Sequence, residues 1–115
     1  MPVFKEGLMT PEKVSHGVER KVVHLDNLMV VVIDFTDGPM DLPDPPHSHP
    51  HEQITYVAEG ELYVFIADER RHIVKGDLYS VPPGIPHNIQ TISRHVRLID
   101  CFYPLRKDFI MKKDH

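Results

Sequence analysis

Prolines interrupt this chain too often for long helices: eleven fall within 115 residues, and a proline inside a helix removes a backbone donor and clashes with the turn before it. What fits between them is a series of short extended runs, each closed by a turn. Residues 18–23 and 28–35 read as strands, the second ended by Asp37-Gly38-Pro39. Residues 40–46, rich in Pro and Asp, read as loop. Further strands are expected over residues 53–58, 61–67, 71–74, 78–81, 89–92 and 96–103. The intervening turns are Glu59-Gly60, residues 68–71, Lys75-Gly76-Asp77 and Pro82-Pro83-Gly84. Pro104 closes the final strand, and residues 105–111 read as a short terminal helix. Many short strands with regular turn signals point to an all-β sandwich or barrel. The length suits one domain, residues 1–115, with a barrel core at about residues 18–104. Residues 1–15 and 112–115 carry the weakest pattern and are expected to fray or pack peripherally.

Bulk properties exclude several function classes. The formal net charge is −4 and the pI about 6.1, unlike the basic footprint of a nucleic-acid binder. The longest aliphatic run, residues 28–33, is far too short to span a bilayer. The opening MPVFKEGLMT lacks the long apolar stretch of a secretory signal. Cys101 is the single cysteine, so no internal disulfide can form. A cytoplasmic protein with neither nucleic-acid nor membrane partners is expected.

The nine histidines are not evenly spread. His47, His49 and His51 occupy alternate positions, and alternate residues of an extended backbone share a face. Imidazoles two apart can therefore converge on one ion. Gln53 has the same parity and Glu52 the opposite, while Pro50 breaks the register enough that parity alone does not place His51, which reads either as a residue orienting a ligand or as a solvated loop residue. His87 follows a rigid Pro82-Pro83-Gly84-Ile85-Pro86 connection that lowers the entropy cost of fixing its ring. His47, His49, Gln53 and His87 are thus the expected ligands of one divalent ion. Imidazole with an amide oxygen suits Zn, Ni, Fe or Mn without choosing among them. His16, His24, His72, His95 and His115 read as ordinary surface or core residues.

The last strand carries a second signal. Leu98, Asp100 and Phe102 share one face, and Ile99, Cys101 and Tyr103 the other. A carboxylate inside an apolar strand is costly to bury unless it is paired or functional. Arg106, just past Pro104, could reach back to it, so an acid–base group and a structural salt bridge at the rim are equally compatible with the residues.

These blocks resemble the two motifs of the cupin family. His47, His49 and Gly60 match the first, and Gly76, Pro82, Gly84 and His87 match the second. The chain departs from the pattern in a longer stretch from Gly38 to His47, in Thr91 for the final asparagine, and in Gln53 for the usual glutamate ligand. The resemblance implies a double-stranded β-helix, or jelly-roll barrel, around one metal ion. With glutamine replacing glutamate no carboxylate offsets the ion's charge, which favours Lewis-acid chemistry on an anionic substrate over oxygenation. HSHPHEQITYV and LIDCFYPLRKDFI further resemble the pectin-degradation cupins that linearise 4,5-unsaturated uronates. That resemblance implies Asp100 as proton shuttle, Arg106 or Arg20 as the cation for a substrate carboxylate, and Phe102 as a packing surface for a small sugar-like anion. A cupin dioxygenase or other isomerase and a non-catalytic sugar- or anion-binding cupin are the alternatives. Small cupins often pair through a face or edge, so a homodimer is expected.

Overall fold

The computed structural model describes residues 3–110. Among them, nine strands form two antiparallel sheets. The larger takes the order β1 (Glu12–Ser15), β2 (Val18–His24), β3 (Met29–Phe35), β9 (Val96–Tyr103), β4 (Glu52–Glu59), β7 (Leu78–Val81). The smaller takes the order β6 (Glu69–Val74), β5 (Glu61–Ile66), β8 (His87–Thr91). A single helical turn, α1 (Lys107–Ile110), follows β9. This is the all-β architecture that the turn rhythm implies, in the jelly-roll form that the family resemblance implies.

Strand alternation decides what faces inward. β9 lies between β3 and β4, and their register stacks three inward rows: Met29–Phe102–Gln53, Val31–Asp100–Thr55 and Ile33–Leu98–Val57. Below the polar rows, Phe35, Val57, Val96 and Leu98 of the large sheet pack on Leu62 and Val64 of the small one. Full burial of such a side chain stabilises by about 1.5–3 kcal/mol. A second cluster of Met29, Val31 and Phe102 closes the other end with Phe109 and Ile110 against it. The site is therefore built on the middle of a sheet whose two ends are anchored by apolar packing. Gly60 makes the turn from β4 to β5 at φ +89°, where a Cβ would lie 2.2 Å from the His95 carbonyl oxygen. Only glycine meets both demands without strain.

Several boundaries differ from the sequence reading. Within residues 1–15, β1 is a true edge strand, short and bulged, paired with β2. β6 begins at Glu69, because the connection is a two-residue turn at Ala67-Asp68 with Ala67 at φ 53°. β8 begins at His87, not residue 89. α1 begins at Lys107, not residue 105, and Met111, like residues 112–115, lies outside the described residues.

Candidate metal centre

His47 and His49 do not sit on a regular strand, contrary to the simple alternation argument. They lie in the extended loop before β4, and a bridge docks that loop on β8. The His47 N–H donates to the His87 carbonyl at 3.0 Å, and the His87 N–H donates back at 2.9 Å. This pairing brings the imidazoles together, with ring centroids 4.3 Å apart for His47–His87 and 4.8 Å for His49–His87. One ring nitrogen from each of the three lies within 4.8 Å of the others.

Backbone carbonyls orient the rings. The His49 Nδ1–H donates to the His51 carbonyl at 3.1 Å, and the His87 Nδ1–H to the Ile85 carbonyl at 2.9 Å. His47 likewise bonds the Pro45 backbone. A carbonyl oxygen only accepts, so Nδ1 carries the proton in His49 and His87 and Nε2 is left with its lone pair, the usual arrangement around a metal. Burial pushes the His47 and His87 pKa values down, so protons compete less for these nitrogens. The His87 Nε2 is buried with no hydrogen-bond partner, which demands an explanation in a folded protein.

Gln53 is buried on β4 beside these imidazoles. Its Oε1 lies 3.0 Å from the His49 Nε2. With His49 in the tautomer above, two lone pairs face each other at this distance. That contact is repulsive unless a cation lies between them, and it matches the spacing of two ligands about 90° apart on one ion at bonds of about 2.1 Å. The orphaned Nε2, the oriented tautomers and the Nε2–Oε1 pair all fit a single metal ion on His47, His49, Gln53 and His87. Glu52 is exposed on the opposite face of β4.

Behind Gln53 runs a buried hydrogen-bond chain. The Gln53 Nε2–H donates to the Thr55 Oγ1 at 2.9 Å, and the Thr55 hydroxyl donates to the Asp100 Oδ1 at 2.6 Å. Burial dominates the Asp100 environment and raises its pKa from 3.8 to about 6, against the opposing pull of the Thr55 bond and Arg106. Tyr79, on β7 beside Thr55, is also pushed up by burial. Composition and motif did not flag Thr55 or Tyr79; strand parity with Gln53 was the available signal for Thr55.

His47, His87, Gln53, Tyr79 and Asp100 line one cavity of about 490 Å³ that also reaches Arg20, Phe102 and Arg106. Arg106 does not pair with Asp100. Its Nε and Nη2 bind the Asp108 carboxylate at 3.3 and 2.9 Å, with its guanidinium over the Phe102 and Phe109 rings. The salt-bridge alternative fails because Asp108, two residues along on the same turn, is nearer. Arg20 similarly pairs with Glu12 on the neighbouring strand while stacking on Phe109 at 3.9 Å. The Asp/Pro loop contributes Asp44, Pro45 and Pro46 to the wall, and burial raises the Asp44 pKa. His51 is half-buried and holds His49 through its carbonyl, a larger part than a solvated loop residue would play.

Residues 35–102 match the family described as the cupin domain. The pectin degradation protein KdgF of Dickeya dadantii is 36% identical over 101 residues, 86% of this chain and 89% of that protein. Among solved structures, KdgF from a Halomonas species superposes with a TM-score of 0.85 at 30% identity, covering 94% of this chain and 99% of its own. An RmlC-like cupin from Shewanella frigidimarina gives 0.83 at 31% identity over 92% and 93%. No helix among the described residues is long and apolar enough to cross a membrane. With more than half its length matching one family profile and two solved cupins superposing along nearly all of it, the chain belongs to the cupin domain family.

Proposed function

We propose that this cupin, a single domain over residues 1–115, opens and ketonises the ring of a 4,5-unsaturated uronate monomer. Similarity to two KdgF proteins along most of the chain supports the substrate class. One observation carries the chemistry: a part-buried carboxyl with a pKa of about 6 lines the same cavity as Gln53 and two imidazoles, His47 and His87, of the three-histidine cluster.

A divalent Zn, Ni, Fe or Mn ion on His47, His49, Gln53 and His87 would supply a Lewis acid that draws electron density from a substrate oxygen. The chain's residues do the rest. Arg106 keeps Nη1 outside its pair with Asp108 and faces the substrate carboxylate, with Arg20 as the second cation of the cavity. Phe102 supplies a flat apolar wall for the sugar. Asp100 accepts the anomeric hydroxyl proton as the bond between C1 and the ring oxygen breaks. C1 becomes an aldehyde, and the former ring oxygen leaves with the bonding electron pair as an enolate oxygen on C5. Asp100 then delivers that same proton to C4 as the enolate becomes a ketone. No atoms are gained or lost, and an acid with a pKa near 6 can both take and give a proton at neutral pH.

The assembly we propose is a homodimer in the cytoplasm. Ile54, Tyr56, Leu78 and Tyr103 are exposed on the outer face of β4, β7 and β9, where Tyr56 pairs with Leu78 and Ile99 in one apolar row. The deciding experiment follows the ultraviolet absorbance of the substrate double bond, with metal content measured on the same sample. Loss of absorbance that depends on protein and on bound metal is expected. Metal-loaded protein that leaves the rate of ring opening at its uncatalysed value refutes the reading.

A further inference from the structure

We propose that Thr55 is a positioning residue that selects which end of the Gln53 amide faces the metal centre. The inference rests on the metal reading above. A glutamine side chain presents an oxygen and an NH2 group of nearly equal shape, but only the oxygen can donate a lone pair to a cation. If the amide turned over, two N–H hydrogens would point at the imidazole nitrogens. Something must therefore bias the amide, and a carboxylate at this position, with two equivalent oxygens, would need no such device.

The bias comes from the geometry around Thr55. Its hydroxyl has one hydrogen, and the Asp100 carboxylate takes it at 2.6 Å, the short distance of a charge-assisted bond. With that hydrogen engaged, Oγ1 can only accept. It lies 2.9 Å from the Gln53 Nε2, so the NH2 end is drawn to Thr55 and Oε1 is turned toward the His49 Nε2, 3.0 Å away. Thr55 is fully buried, at 0% exposure, so no bulk water replaces it. Asp100, Thr55 and Gln53 form one polarised chain, in which the proton shuttle also orders a ligand two hydrogen bonds away. Register places them for this: Thr55 pairs with Asp100 across the β4–β9 ladder, and Gln53 lies one inward position along the same strand.

The test is Co²⁺ titration of metal-free protein, read by calorimetry and by the visible absorption of the bound ion. Thr55→Val keeps the shape and removes the hydroxyl. Its Kd should rise about 10- to 100-fold, the usual effect of removing a group that orients a ligand, and the absorption bands should shift. Thr55→Ser should return most of the affinity. In a Gln53→Glu background, the Thr55→Val penalty should largely disappear, since no amide remains to be oriented. A folded Thr55→Val protein with the wild-type Kd and spectrum overturns the proposal, as does an equal penalty in both backgrounds. Should Thr55→Val not fold, slow hydrogen exchange of the Gln53 side-chain NH2 in the wild type is expected, and fast exchange overturns the proposal. Wild-type Co²⁺ binding that is indifferent to His49→Ala sinks the metal reading itself, a result distinct from any of these.

Discussion

Replacing Asp100 with asparagine separates two properties that the buried carboxyl combines. The asparagine amide oxygen can still accept the Thr55 hydroxyl bond, so the fold and the orientation of Gln53 are retained. What is lost is the charge. Folding moves the Asp100 pKa from 3.8 to about 6, roughly two units, or about 3 kcal/mol between the two protonation states. The sign follows from linkage. Below pH 4 the group is protonated folded or unfolded and costs nothing. Between pH 4 and 6 the unfolded chain ionises while the folded state still holds its proton, so stability falls across that window, and above pH 6 the penalty is complete. Asp100→Asn escapes that penalty, so at pH 7.5 the metal-free variant should be the more stable protein. The cavity leaves Asp100 partly accessible, so a gain of about 2 kcal/mol is expected. At pH 4 the gain should vanish. Urea denaturation of wild type and variant at both pH values measures the difference, and effects of the other titrating groups cancel in the comparison. Turnover of the unsaturated uronate should fall by about 10²- to 10⁴-fold, the usual contribution of a positioned acid–base group, while metal content stays unchanged. A variant destabilised equally at both pH values would refute the burial argument. Undiminished turnover would remove Asp100 from the chemistry.

Three further outcomes can be checked. Gly60→Ala should lower stability by more than about 2 kcal/mol, through positive φ and the clash with the His95 carbonyl; the urea midpoint reads it. Saturating the metal site at 100 times its Kd should stabilise the fold by about 2.7 kcal/mol, and a chelator should reverse the rise in melting temperature. Arg106→Gln should raise KM for the uronate more than it lowers kcat, with kcat/KM down about 10- to 100-fold for one lost charged contact; an unchanged KM would move the carboxylate site elsewhere.

The sequence made one half of this molecule readable and hid the other for a physical reason. Turn residues and alternation located the strands because both are local: a Gly-Asp or Pro-Pro-Gly signal acts on its own neighbourhood, and side-chain period along a strand needs no partner. The inward row of Leu98, Asp100 and Phe102 was visible for that reason. Pairing partners were not. That Arg106 would find Asp108 and Arg20 would find Glu12 depends on which side chains meet at short range in three dimensions. The bridge between His47 and His87 belongs to the same class, since nothing near His47 announces that its backbone will pair 40 residues away. Thr55 shows the boundary most clearly. A threonine in a strand is unremarked by itself, because it suits a pleated surface anywhere. It gains meaning only when β9 inserts beside β4 and brings Asp100 to its hydroxyl. The ligands of such a site are legible because their side-chain chemistry is rare. The groups that orient them use common residues whose role is set by the neighbour across the sheet, so they emerge only once strand order is known.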